Sequence, residues 1–330
     1  MKRLNILVPH YKESEETISA LLNSIESQIE IDKNDIGVVI CSDGGVVRLS
    51  SKFLKRYSYD IRYVVCTHRG VSGTRNSALM LSDAEYVMYC DADDCFYSIF
   101  GIKIILDTIE KHRGDSVPVD IISSKFYQED VKDDKWSLNL YDHNNIFMHG
   151  RVYRREFLIS NQIYFNEKTP ANEDCFYSIF GGFMSKNTVN IDIPFYCWKY
   201  NSSSLTHDPD YICKTLHHLL VSNDSVVEVM SLLNKKPEEI AYTVFHVICQ
   251  CYLDYNKPIW HDGNHDDNKK SLISTLKWYI KKNGERCSVL SDSSKKDILQ
   301  AARQTHHYTD IESITFNDFI NMVMSYEDGE

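Results

Sequence analysis

Asp91, Asp93 and Asp94 put three carboxylates within four positions, directly after the mostly apolar run Glu85-Tyr86-Val87-Met88-Tyr89-Cys90. Carboxylates this close repel one another unless a cation lies among them, and hard divalent ions take oxygen ligands. The apolar run suits a strand buried on both faces. Open α/β sheets bind ligands just past the carboxyl ends of such strands. Asp91 and Asp93, spaced i and i+2, would point the same way in an extended chain. Asp94 is expected to cap a following helix.

The elements needed to hold such a site alternate along the chain. Leu4 to Val8 reads as a strand stopped by Pro9, and Ser14 can cap a helix carrying Ile18, Leu21, Leu22 and Ile25. Gly37–Cys41 and Ile61–Cys66 read as strands, the first ending in the turn Ser42-Asp43-Gly44-Gly45. A glycine-punctuated loop, His68 to Gly73, opens a helix through Arg75, and a helix with Ile102, Ile105, Leu106 and Ile109 follows the carboxylates. Strand and helix in alternation predict a largely parallel sheet with helices on both faces, an α/β Rossmann-like fold. A charged loop is expected over 128–135, strands at 188–193 and 195–200, and a polar loop at 201–209. Two domains are expected, an α/β domain over 1–207 and a helical domain over 208–330. The octapeptide Asp-Cys-Phe-Tyr-Ser-Ile-Phe-Gly occurs at both 94–101 and 174–181, and the shared expectation is a carboxylate at a helix start with an aromatic face behind it.

Five motifs then fall in order: Val8-Pro9-His10-Tyr11-Lys12-Glu13, Asp43-Gly44-Gly45, Arg69 to Ala78, Asp91-Ala92-Asp93 and Glu173-Asp174. In order and spacing the chain resembles the inverting family 2 glycosyltransferases with the A-type nucleotide-sugar fold, over about residues 3–207. Departures are Ser42 where an Asp usually precedes Asp43, Gly73-Thr74 where an Ala usually precedes the Arg, and Ala78 where a Gly usually closes the third motif. The Gln-x-x-Arg-Trp of processive members is absent, which points to transfer of one sugar. The resemblance implies a UDP-sugar donor held by Pro9, Tyr11, Glu13, Asp43, Arg75, Asp91 and Ala92. Asp43 would meet the uracil, and Pro9 and Tyr11 would wall the base. Arg75, at a loosened helix start, can reach a base or phosphate. Asp93 would hold Mn²⁺ or Mg²⁺ on the diphosphate, Asp91 would help from the ribose side, and His207 would complete the metal shell. In a displacement at the anomeric carbon a carboxylate must take the proton of the attacking hydroxyl. Asp174 is the expected base and Glu173 its orienting neighbour, with Glu167 and Asp208 as weaker base candidates.

Composition limits the alternatives. The 330 residues are 43% hydrophobic and 12% aromatic, enough for a sizeable core, and the net charge of −11 argues against a broad nucleic-acid surface. Ten cysteines without a Cys-x-x-Cys read as free thiols in a reducing compartment. No apolar run spans a membrane, so a cytoplasmic protein, at most peripheral to a membrane, is expected. A nucleotidyltransferase or a NAD enzyme would need a glycine-rich loop after its first strand, where Pro9-His10-Tyr11-Lys12 stands. A non-catalytic nucleotide-sugar binding module is the remaining rival. The favoured acceptor is a surface glycan, wall polymer or glycolipid, ahead of a protein side chain or a hydroxylated DNA base. The C-terminal helices would select the acceptor or mediate oligomers.

Overall fold

The computed structural model describes residues 1–132, 135–143, 146–169, 171–202, 204, 208–261, 263–305 and 313–327. Packing divides the chain into Met1–Asn201 and Ser202–Glu330. The first unit opens with β1 (Leu4–His10), α1 (Glu15–Glu26), β2 (Ile36–Asp43), the single turn α2 (Ser51–Leu54), β3 (Asp60–Cys66), α3 (Gly70–Leu81) and β4 (Tyr86–Tyr89). It continues with β5 (Cys95–Phe96), α4 (Gly101–Lys111), β6 (Ile121–Lys132), β7 (Lys135–Tyr141), β8 (Arg151–Arg154), α5 (Arg155–Ser160), α6 (Glu173–Met184) and β9 (Thr188–Trp198). The strands form one sheet in the order β3-β2-β1-β4-β8-β6-β9-β5, with β7 on β6.

The half from β3 to β4 is parallel, as the alternation of elements predicts. Side-chain alternation along β1 explains why helices cover both faces. Ile6 and Val8 pack with Ile18, Leu21 and Ile25 of α1. Leu7 packs with Ala78 and Leu79 of α3 and Tyr177 of α6 on the opposite face. Ser14 caps α1, accepting from Thr17 N at 3.2 Å. Pro9 does not stop β1, which runs on to His10 against β2. β4 has already ended at that level, and proline is tolerated where a strand loses a neighbour.

The other half is mixed. β8 is antiparallel to both β4 and β6, and β9 is parallel to β6 and antiparallel to β5. Of the charged stretch expected as a loop over 128–135, the described residues are strand: β6 runs on to Lys132 and pairs with β7, Val131 opposite Trp136. Charge suggested a loop, but a ribbon with solvated faces accepts charged residues readily, and its β-forming residues decide. The two strands expected at 188–193 and 195–200 are one, β9, and a register shift lies between Ser124 and Phe126 of β6.

The repeated octapeptide adopts two structures. At 174–181 it lies inside α6. At 94–101 the same residues form β5 and a turn, and α4 starts only at Gly101. Phe96 pairs with Tyr196 of β9, and a sheet partner overrides a weak local preference.

The second unit is helical: α7 (Tyr211–Leu232), α8 (Pro237–Tyr255), α9 (Asp266–Asn283), α10 (Asp292–Thr305) and α11 (Phe316–Ser325). Leu220, Val227, Val244, Tyr252, Leu276 and Phe319 are buried. Asp224, also buried, accepts from Lys282 Nζ at 2.7 Å and Asn283 Nδ2 at 2.9 Å. Among the described residues no helix is long and apolar enough to cross a membrane. All ten cysteines are free thiols.

Candidate active site

At the carboxyl ends of β1 and β2 the chain builds an aromatic ledge. Asp43 closes β2 and accepts from Arg69 N at 2.8 Å, Gly70 N at 3.0 Å and His68 Nδ1 at 2.8 Å. It thereby fixes the start of α3, and the left-handed φ of +74° at Gly70 that brings this N–H round is one that glycine supplies without strain. Three of about four acceptor positions of the carboxylate are filled. His68 stacks on Tyr11 with centroids 5.5 Å apart, and both rings are exposed. Tyr11 N donates to Glu13 Oε2 at 2.7 Å. His10, buried beneath, bonds Ser42 Oγ at 3.2 Å and Glu13 O at 2.8 Å.

The carboxylates past β4 part company. Arg75 of α3 is 4% exposed and reaches Asp91 Oδ1 at 2.7 Å and Glu173 Oε1 at 2.6 Å, with its guanidinium over the Phe165 ring at 5.2 Å. Burial works against its charge, but Asp91, Glu173 and Asp174 outweigh burial and hold its pKa above the ordinary value. Burial would likewise raise Asp91, yet the Arg75 guanidinium keeps it below the usual carboxylate range. Asp93 accepts from Asn201 Nδ2 at 2.7 Å, and no cation pairs with it among the described residues. Burial raises its pKa, the Asn201 bond opposes this, and the charge of Asp91 adds to the rise. Asp94 is buried and accepts from the Tyr196 hydroxyl and from Lys199 N at 2.8 Å. Burial, then Asp91 and Asp93, push its pKa well up.

Glu173 and Asp174 occupy the first turn of α6, where the helix dipole favours carboxylates. Asn172 before them has the left-handed φ of +59°, which asparagine tolerates. Glu173 is spent on Arg75. Asp174 accepts only from its neighbour Cys175 N, at 2.9 Å, among the described residues. Burial and the adjacent Glu173 push its carboxyl up to about 7 against the pull of Arg75. That is a group able to take a proton near neutral pH.

The sequence profile described as Glycosyl transferase family 2 matches residues 5–190. The chain belongs to this family. Family 2 relatives include the poly(ribitol-phosphate) beta-N-acetylglucosaminyltransferase TarS of Staphylococcus aureus, 23% identical over 199 residues, 58% of this chain and 34% of that protein. The poly(ribitol-phosphate) beta-glucosyltransferase of Bacillus spizizenii is 25% identical over 213 residues, 59% of this chain and 32% of that protein. The chain thus aligns with about a third of the length of these curated relatives. The crystal structure of S. aureus TarS 1-349 in complex with UDP-GlcNAc superposes with a TM-score of 0.69 at 17% identity, covering 98% of this chain and 90% of that one. The fold is that of a family 2 enzyme, including a helical C-terminal region.

Several expected site residues of this family 2 chain stand where the motifs put them, but with other partners. Asp94 does not cap a helix: α4 begins seven residues later with Phe100 at its cap, and the Asp94 side chain ties β9 to the site floor. Asp91 and Asp93 do not share a direction, because β4 ends at Tyr89 and the chain turns at Ala92-Asp93. Arg75 does not reach out to a base or phosphate; it is buried between two carboxylates. Glu167 is held by Arg69 Nη1 at 3.1 Å and Asn76 Nδ2 at 3.2 Å. Asp208, in the other unit, is held by Lys214 Nζ at 2.7 Å. Neither is poised as a base. His207 lies outside the described residues. Sequence reasoning missed Asn201, Tyr196 and His149. Tyr196 and Asn201 belong to the end of β9 and the loop after it, and only the β5–β9 pairing, which local periodicity does not carry, brings that strand beside the carboxylates that follow β4.

Does the site suit a divalent ion? Asp91 is neutralised by Arg75, and Asp94 is satisfied by two uncharged donors. Asp93 alone keeps an uncompensated carboxylate, so the residues present fit a hard cation held at Asp93.

Proposed function

We propose that this chain transfers one sugar from a UDP-sugar to an acceptor hydroxyl, with inversion at the anomeric carbon. The observation that carries the reading is Asp174. It is half-buried, raised to about 7 and linked through Arg75 to the Asp91 end of the donor motif. In the step proposed, the acceptor oxygen attacks the anomeric carbon, the bond from that carbon to the UDP oxygen breaks, and Asp174 takes the acceptor proton. Bound Mn²⁺ or Mg²⁺ would supply charge stabilisation for the leaving diphosphate. Glu173 and Asp91 hold Arg75, which keeps Asp174 low enough to be ionised near neutrality. The Tyr11 and His68 rings offer a stacking surface for the base, and Asp43 retains room for about one more donor. The names of the relatives, both acting on poly(ribitol-phosphate), favour a phosphate-containing wall polymer among the glycan and glycolipid acceptors. Cytoplasmic placement, peripheral to the membrane, goes with this reading.

The test is a transfer assay with UDP-GlcNAc, UDP-glucose and UDP-galactose on poly(ribitol phosphate), with and without Mn²⁺. A protein that turns over none of the donors on this or any glycan acceptor would refute the reading. Asp93→Ala should bind UDP no better with Mn²⁺ than without it. In the wild type, Mn²⁺ with UDP at 100 times its Kd should stabilise by about 2.7 kcal/mol in a thermal-shift measurement. An Asp93→Ala protein that keeps the Mn²⁺-dependent shift removes Asp93 from the metal site.

A further inference from the structure

His149 lies on the floor of this site, and the transfer step above leaves it unused. Met88 of β4 is opposite Val152 of β8 in an antiparallel register, and the turn before β8 brings His149 to the residues that follow β4. Gly150 lets that turn lie close against β6: its φ is +69°, and a Cβ there would lie 2.7 Å from Ser124 Oγ and 3.1 Å from Ser124 O. His149 is buried, only 6% exposed. The ring stacks on Tyr196 at 5.1 Å and tilts against half-buried Trp198 at 5.0 Å. One of its nitrogens lies within 4.8 Å of carboxylate oxygens of Asp91 and Asp94. Nδ1 has no hydrogen-bond partner among the described residues. Buried polar atoms are rarely left so, and the missing partner is the clue to a ligand.

Three ligand chemistries can be weighed. A cation between His149, Asp91 and Asp94 has the right spacing, but Arg75 already neutralises Asp91 at 2.7 Å, and Asp94 is engaged by Tyr196 and Lys199 N. A dication there would face the guanidinium at close range. A phosphate would gain little, because burial, followed by the Arg75 charge and opposed by Asp91, leaves the imidazole uncharged with a pKa of about 4. A neutral imidazole has one donor and one acceptor, and a sugar hydroxyl both donates and accepts. The half-buried Trp198 beside it offers an aromatic face to the apolar side of a pyranose.

We propose that His149 selects the transferred sugar by hydrogen bonding one of its hydroxyls. This rests on the UDP-sugar reading above. Calorimetry in Mn²⁺ with UDP, UDP-GlcNAc, UDP-glucose and UDP-galactose tests it on wild type, His149→Phe and His149→Asn. Phe keeps the stacking on Tyr196 and removes the polar atoms, and Asn restores a donor and an acceptor. His149→Phe should bind UDP within about twofold of wild type and lose about tenfold in affinity for the preferred UDP-sugar. His149→Asn should recover part of that loss. A His149→Phe protein that keeps the wild-type gap between UDP-sugar and UDP overturns the inference. So does one that loses UDP and UDP-sugar affinity equally, which is the result expected of a metal-holding or purely structural residue. A wild type that binds no UDP compound overturns the donor reading itself.

Discussion

Asp174→Asn is expected to lower turnover about a thousandfold, the usual range for a lost general base, while raising the melting temperature at pH 8. Both effects come from the same placement. Burial and the neighbouring Glu173 lift the Asp174 carboxyl to about 7, above the value near 4 that it has in an unfolded chain. A group whose folded pKa is raised favours the fold while protonated. That contribution is complete below about pH 4 and is lost as pH rises through about 7. Asparagine is neutral throughout, so the variant escapes the loss: no difference from wild type at pH 4, and the largest above pH 7. Wild-type turnover should climb with pH through about 7, as the base ionises. Rates and thermal melts at pH 4, 6 and 8 measure both. Turnover within tenfold of wild type would remove Asp174 as the base. A stability difference independent of pH would show that its carboxyl is not held near 7.

What made the donor half legible is that its strands are local. β1, β2 and β4 each bury a short apolar run, and each run ends in the residues a site needs, side by side in the sheet as β2-β1-β4. Asp43, Asp91, Asp93, Glu173 and Asp174 could be picked out on that basis. Their partners could not. Asp94 looked like a cap because a carboxylate before an apolar helix usually is one. Its real partners, Tyr196 and Lys199, are about a hundred residues away and arrive through the β5–β9 pairing. The two copies of the octapeptide make the same point with identical residues: one is helix because α6 stacks Tyr177 on Phe165, the other is strand because β9 is beside it. His149 could not be singled out as a site residue, since its position is set by an antiparallel strand in a sheet expected to be largely parallel.

Arg75→Met should cost about 3–5 kcal/mol of stability, the range found when one member of a buried ion pair is removed. The methionine leaves Asp91 and Glu173 facing each other in a largely buried site, with no guanidinium to offset their charge. Arg75→Lys should recover little, because one ammonium cannot reach both carboxylates in the fork geometry that the guanidinium uses. Arg75→Met with Glu173→Gln should recover more, since it removes one of the two stranded charges. The pH dependence fixes the cause. Arg75 holds Asp91 below its unfolded pKa, so the stability from that pair is present above about pH 4 and fades as pH falls through the lowered folded value. The gap between wild type and Arg75→Met in urea melts should therefore narrow below about pH 4. Arg75 also pulls the Asp174 pKa down. Whatever transfer survives in the variant should show its rising limb at higher pH than the wild type. A gap that stays constant from pH 3 to pH 8, with an unmoved pH–rate profile, would mean that Arg75 acts by packing on Phe165 and not by linking the donor carboxylate to the base.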